Sequence, residues 1–251
     1  MTPAHALLVS ADEAPPGSQI EGAYRRLRDD IISGTFAPSE KLRIEHLRKS
    51  CGFGASALRE ALSRLVSDGL VECEAQRGYW VSPVSREELD DITTSRKVIE
   101  VEALRQAIEF GSLEWEGRVV AACHSLERVE TSMTESTRET IMGWERANRR
   151  FHMALISGCP SRRLLRFTEL LYDQSQRYRH RTVLRRPIPR RGLSAEHTEI
   201  VQATLARDAE RACAALSKHI DNTARAVDVA IFGADAPARK VRRAPDGPLT
   251  R

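Results

Sequence analysis

Aromatic side chains are scarce in this chain, at 5% of 251 residues, and no apolar run approaches the roughly 20 residues that cross a bilayer. The first shortage favours a core of helices packed through Leu, Ala, Val and Ile, and the second excludes a membrane-spanning helix. The N-terminal stretch MTPAHALLVSADEAPPGSQ has no basic start followed by a sustained apolar core, so no secretory signal is expected and the protein is expected in the cytoplasm. The five cysteines, at 51, 73, 123, 159 and 213, are odd in number, scattered and without a Cys-x-x-Cys pair. That excludes a zinc ribbon, a dithiol redox motif and a disulfide framework, and leaves reduced thiols. Charge is close to balanced. The net value is +4, and residues 18–85 carry ten basic against nine acidic side chains, so any affinity for nucleic acid must come from locally placed arginines.

The length suits two domains, each with its own core. Residues 1–17 and 233–251 read as mobile tails: the first is rich in Ala and Pro, and the second mixes prolines with five basic residues and no apolar period. Between them, Ile20, Tyr24, Leu27, Ile31 and Ile32 fall on one face of a first helix, which Gly34 and Pro38 end. A short helix over 44–51 follows, then a Gly52-Phe53-Gly54 break, then a third helix whose Leu58, Leu62, Leu65 and Val66 recur at three-and-four spacing. Leu70–Glu74 and Tyr79–Val84 read as two strands joined through Arg77-Gly78. Helix, glycine-containing turn, helix and hairpin in that order spell a winged helix-turn-helix over residues 18–84. From 86 to 232 only helical patterns occur, about 86–110, 112–132, 138–157, 161–184, 193–206 and 208–231, which predicts an all-helical bundle of some six helices. The fold class expected is therefore mainly α, a winged helix-turn-helix followed by a helical bundle.

A recognition helix presents side chains near its N-terminal end to base edges while neighbouring arginines hold phosphates. Arg59 lies one turn into the third helix, off its apolar face, with Arg64 further along. Ser56 is placed to cap the helix or donate to a phosphate, and Gly78 with Arg77 would let the wing approach DNA closely. The segments LREALSRLVSDGLVE and RGYWV resemble the GntR family of bacterial regulators, with its Arg-Glu-Ala-Leu-x-Arg-Leu core, its Gly-Leu-Val strand and its glycine-tipped wing. Where that family carries a Ser-Arg-Thr-Pro run, this chain has Gly54-Ala55-Ser56-Ala57, so Ala55 replaces an arginine and the operator does not carry over.

The helical half resembles the FadR branch, in the FCD subgroup that holds a metal ion inside a helical bundle. The resemblance implies His152, His197 and His219 as ligands of a divalent ion, with zinc the expected one, and places Asn148 where the subgroup commonly has Asp. An amide oxygen brings no negative charge, so such a site would hold metal less tightly and attract an anion more strongly. The resemblance also puts Arg96 on the carboxylate of a ligand, although Arg96 and Glu100 are equally spaced for an exposed helix pair. The basic run Arg177-Tyr178-Arg179 with Arg181 would line the pocket, cap a domain contact or face solvent, and Arg177 is taken as a ligand candidate. The Trp-x-x-x-Asn-x-x-Phe-His pattern from Trp144 is similar to a glutarate-responsive subgroup. Together these readings imply a non-enzymatic homodimer that binds double-stranded operator DNA and is released by a small organic acid, with no membrane partner. A regulator that senses the metal itself is the alternative, and a hydrolase using Glu196 or Glu199 as general base is a distant third.

Overall fold

A computed structural model describes residues 16–133, 137–183 and 190–233. Helix α1 (Pro16–Ile32) is followed by the short strand β1 (Lys41–Leu42), helices α2 (Ile44–Cys51) and α3 (Ala55–Ser67), and strands β2 (Val71–Glu74) and β3 (Gly78–Val81). The remaining helices are α4 (Arg86–Phe110), α5 (Leu113–Ser132), α6 (Arg138–Ile156), α7 (Arg162–Val183), α8 (Arg190–Leu205) and α9 (Ala209–Phe232). The expected tails lie outside the described residues except at their inner edges, where Pro16 already begins α1 and Gly233 caps α9. Helix α8 starts at Arg190, three residues before the expected position.

In the N-terminal unit Ala23, Leu27 and Ile31 of α1 pack with Leu47 of α2, with Leu58, Ala61, Leu62 and Leu65 of α3, and with Val71 and Val81 of the wing. The sheet order is β1-β3-β2, all antiparallel, with Leu42 opposite Tyr79 and Val71 opposite Val81. The two wing strands are one and two residues shorter than the sequence suggests, and β1 is a third strand that no alternation announces. Two residues are too few to show a period, and β1 is fixed instead by Ser39 N–H donating to Val81 O and Val81 N–H donating to Glu40 O, each at 2.9 Å.

The six helices α4–α9 form the second unit. Helix α4 packs on α9, α7 and α6, while α5 packs on α6 and α8. The core is built from Leu104, Trp115, Val119, Phe151, Leu155, Ile200, Leu216 and Ile220. The start of α4 is a helix cap: the Ser85 hydroxyl accepts from Glu88 N–H, followed by Glu87 and Glu88 in the first turn. The α4–α5 corner is tight, since a Cβ on Gly111 would lie 2.2 Å from Trp115 Cε3 and 2.4 Å from the Ala107 carbonyl oxygen. Gly111→Ala should therefore cost about 1–3 kcal/mol through overpacking. Gly117, exposed on α5 with nothing within 4 Å of its Cβ position, should gain about 0.8–1 kcal/mol from the same change. Thermal unfolding of the two variants should move in opposite directions.

Candidate nucleic-acid interface and metal centre

Helix α2 ends on Gly52 in the left-handed region at φ 75°, and extended Gly54 is the N-cap of α3 without any side-chain bond. Ser56 is therefore not the cap. It is the second residue of α3 and its side chain is exposed. At 100° per residue Ser56, Arg59 and Ser63 lie within roughly 100° of one another, all exposed, opposite the Leu58–Leu62–Leu65 seam. Arg59 has no ion-pair or hydrogen-bond partner among the described residues, so its guanidinium is free to meet an anion. Arg64 is turned roughly 140° from Arg59. It donates to Glu21 Oε2 at 3.2 Å and lies 4.3 Å over the Tyr24 ring, so α1 holds it away from the reading face. On the wing the tip is Ala75-Gln76-Arg77, with Gln76 at φ 62°. Arg77 bonds Glu74 Oε2 at 2.6 Å and is exposed. Gly78 is the first residue of β3, paired with Glu74, rather than the tip itself; its φ of 112° is one that a side chain resists.

Inside the bundle, α6 supplies His152, α8 supplies His197 and α9 supplies His219, and one ring nitrogen from each lies within 4.8 Å of the others. All three are buried, with ring centroids 4.8–5.8 Å apart. Burial first, then the neighbouring imidazoles, pushes His197 down to about 3 and His152 well below its ordinary value, so both are neutral and carry lone pairs at pH 7. His219 Nδ1 sits 2.8 Å from Glu196 Oε2, and Asn222 donates to the other Glu196 oxygen at 2.5 Å. The hydrogen bond from His219 holds Glu196 below the usual carboxylate range. An ionised Glu196 only accepts, so Nδ1 of His219 bears the proton and Nε2 is left as the lone-pair atom.

Several buried atoms around the triad have no protein partner: both ring nitrogens of His197, Asn148 Oδ1 and Glu130 Oε2. The amide of Asn148 is oriented by Nδ2 donating to Tyr172 Oη at 2.8 Å, which leaves Oδ1 as the unspent acceptor. Three buried imidazoles, those of His152 and His197 neutral, and an amide oxygen, with both His197 nitrogens and Asn148 Oδ1 unsatisfied, fit a divalent ion and leave positions for an anion or water. Glu130 was not legible as a site residue. Its Oε1 accepts from Trp144 Nε1 at 3.1 Å and lies 3.9 Å from His197 Nδ1, and burial pushes its carboxyl upward.

Beside the triad runs a buried charged chain. Arg96 clasps Glu100 at 2.6 and 3.2 Å and donates to Ser175 Oγ at 3.0 Å, and Arg179 donates to the same hydroxyl at 3.1 Å and to both oxygens of Glu145 at 3.2 and 3.4 Å. The Arg96–Glu100 pair is thus a buried one and not the exposed pair its spacing also allowed. Tyr172 stands between the two sites, 5.7 Å from His152, with Arg96, Arg149 and Arg179 against its ring at 4.6–5.5 Å. Arg177 is elsewhere. Two residues before Arg179 it points roughly 200° round the helix, donating to the Ser82 carbonyl and to Glu88 at 3.0 Å each, a strut between the wing and α4. Of the basic run, Arg179 and not Arg177 belongs with Arg96. The spacing of Tyr172, Ser175 and Arg179 at i, i+3 and i+7 was the available signal. Neither proposed hydrolytic base is free: Glu196 is committed to His219 and Asn222, and Glu199 pairs with Arg211 at 2.7 and 3.0 Å on the surface.

Residues 91–222 match the FCD domain family, and residues 19–81 match the family of bacterial regulatory proteins named gntR. The HTH-type transcriptional regulator BphR of Paraburkholderia xenovorans is 40% identical over 82% of this chain and 84% of its own length. The HTH-type transcriptional repressor GlaR of Escherichia coli is 36% identical over 78% of this chain and 90% of its own length. Among solved structures, E. coli McbR/YncC superposes with a TM-score of 0.70 at 20% identity, covering 83% of this chain and 96% of that one. No described helix is long and apolar enough to cross a membrane.

Proposed function

The chain belongs to the gntR family of bacterial regulatory proteins and carries an FCD domain, and from that premise we propose a homodimeric repressor released from its operator by a short carboxylate bound beside a divalent metal, zinc by preference. The observation that carries this reading is the set of unsatisfied buried atoms on His197 and Asn148, next to two arginines with donors to spare. A repressor is favoured over an activator by the 36% identity to a protein named as one. His152, His197, His219 and Asn148 would hold the ion, and a zinc ion so held would supply a Lewis-acidic seat for an anion's oxygen. Arg96 and Arg179 each use three of five guanidinium donors on Glu and Ser175, leaving two apiece for a second carboxylate. Two anion seats separated by Tyr172 suit a short diacid such as glutarate. Calorimetry of the zinc-loaded protein with glutarate and a panel of short acids tests this, and silence across all diacids would sink it.

In the dimer, two α3 helices meet successive major grooves, and the effector acts through its differing affinity for two placements of those helices. Ser56 and Arg59 read the DNA from α3 while Arg77 and Gly78 bring in the wing. Arg64 is assigned the neighbouring phosphate at most, given its bond to Glu21. Arg59→Ala should weaken binding to a duplex selected from random sequence by about 10–100-fold, the worth of one bidentate base contact. Fluorescence anisotropy measures it, and an affinity within twofold of wild type would remove Arg59 from the interface.

A second reading, that the metal itself is the effector, is favoured by the neutrality of His152 and His197, which readies them for a cation without proton loss. Titrating operator binding with zinc in the absence of organic acids separates the two readings.

A further inference from the structure

Helix α7 touches both halves of the molecule with adjacent side chains. Its Tyr172, Ser175 and Arg179 face the triad and the buried arginines. Its Asp173, Gln174 and Arg177 face the DNA-binding unit, where Gln174 Nε2 donates to the carbonyl of Asp68, the C-cap of α3, at 2.9 Å. Asp173 is the most connected of these. Arg28 of α1 grips it through Nε to Oδ2 at 2.7 Å and through Nη2 to Oδ1 at 2.5 Å, and Arg149 of α6 donates to the same Oδ1. The carboxylate and Arg28 are mostly buried, at 12% and 18% side-chain exposure, so solvent does little to dilute the contact.

Asp173 and its partner Arg149 are chain neighbours of the candidate site. Arg149 follows Asn148, whose amide is bonded to Tyr172, and Tyr172 precedes Asp173. Two consecutive residues of α6 and two of α7 thus form a square with one edge inside the candidate site and the other on the domain border. The Arg149 guanidinium also lies 5.4 Å over the Tyr172 ring, so a displacement of that ring is felt by Arg149 directly. Two cations share a single oxygen, and a stronger hold by Arg149 on Oδ1 comes at the expense of Arg28.

We propose that Asp173 is the positioning residue through which occupancy of the histidine site reaches the DNA-binding unit, by dividing its carboxylate between Arg149 and Arg28. The proposal rests on the effector-responsive reading above. It gives a contiguous route from Asn148 through Tyr172, Arg149 and Asp173 to α1, with Gln174 extending it to the end of the recognition helix.

The test is hydrogen exchange on the full chain, read by mass spectrometry over residues 24–32 of α1, with zinc alone as the probe. In the wild type, zinc should change the exchange rate of α1 by about threefold or more. Asp173→Asn and, as a second variant from the other side, Arg28→Gln should bind zinc in calorimetry with wild-type affinity yet lose that change. A parallel arm uses Asn148→Ala, which disturbs Tyr172 with no ligand added: it should alter α1 exchange in the wild-type background and not in the Asp173→Asn background. An α1 response that persists without Asp173 in either arm overturns the proposal, as does a wild-type α1 that ignores both zinc and Asn148→Ala. If zinc does not bind but Asn148→Ala acts through Asp173, the clasp stands and the metal reading falls.

Discussion

Arg179→Met should lower the stability of the protein by about 3–5 kcal/mol, because it leaves the carboxylate of Glu145 buried without its counter-charge. Glu145 is 2% exposed and, among the described residues, its hydrogen bonds come from Arg179 alone. Burial pulls the Arg179 guanidinium down, but the charge of Glu145 and its neighbours more than offsets this, and the net displacement is upward. The pair exists because each member makes the other tolerable. Removing both charges together is accordingly much less harmful than removing one: Glu145→Gln/Arg179→Met should recover more than half of the loss. Urea unfolding checks this, with the midpoint falling in the single variant and returning in the double while the slope stays constant. A single-variant loss below about 1 kcal/mol would mean that Glu145 is solvated, against its observed burial.

The same arginine shows where sequence reading stops. Helices α4–α9 were legible because each presents an apolar stripe to one core, and their ends fell within a few residues of Ser, Gly or Pro signals. Helix α7 gives no such phase over 172–180. It is buried on two sides, by the triad and by the DNA-binding unit, so Tyr172, Asp173, Ser175, Arg177, Arg179 and His180 are all buried although most are polar. A run of basic residues then looks like a solvated face, and nothing local separates Arg177, a strut to Ser82 and Glu88, from Arg179, a member of the site. The histidines were legible from their match to a family pattern, since His152, His197 and His219 are 45 and 22 residues apart in sequence and meet only when three helices pack. Glu130 lacked any signal at all. It comes from the last turn of α5, and only its unpaired oxygen beside His197 draws attention to it.

In the DNA-binding unit the order of elements was legible, whereas the fine placement was not. A glycine can be an N-cap with no side-chain bond, so the cap fell on Gly54 and not on the residue with the hydroxyl. Arg64 looks as available as Arg59 in the sequence. The structure separates them through Glu21 and Tyr24, which lie 43 and 40 positions away and are brought up by the packing of α1 on α3.

The metal-free protein should be sensitive to acid, and His197→Ala should erase part of that sensitivity. In the chelated wild type, His197 stays neutral when folded down to about pH 3, while in the unfolded chain it takes a proton near pH 6.5. Between those limits the unfolded state binds more protons, so stability falls as pH falls, by about 1.4 kcal/mol per unit for each histidine so placed. His152 is displaced in the same direction and adds its own share. Adding zinc at about 100 times its dissociation constant should raise stability at pH 7 by about 2.7 kcal/mol, because the ion binds only the folded arrangement. His197→Ala should lose that gain, and its stability relative to metal-free wild type should improve on acidification at about 1.4 kcal/mol per unit below pH 6.5. Thermal or urea unfolding at pH 7, 6 and 5, with chelator or with zinc, reads both effects. Parallel pH curves for the two proteins would show that His197 is already protonated or open to water. Parallel curves with zinc stabilisation intact in His197→Ala would put the ion somewhere other than among these three helices.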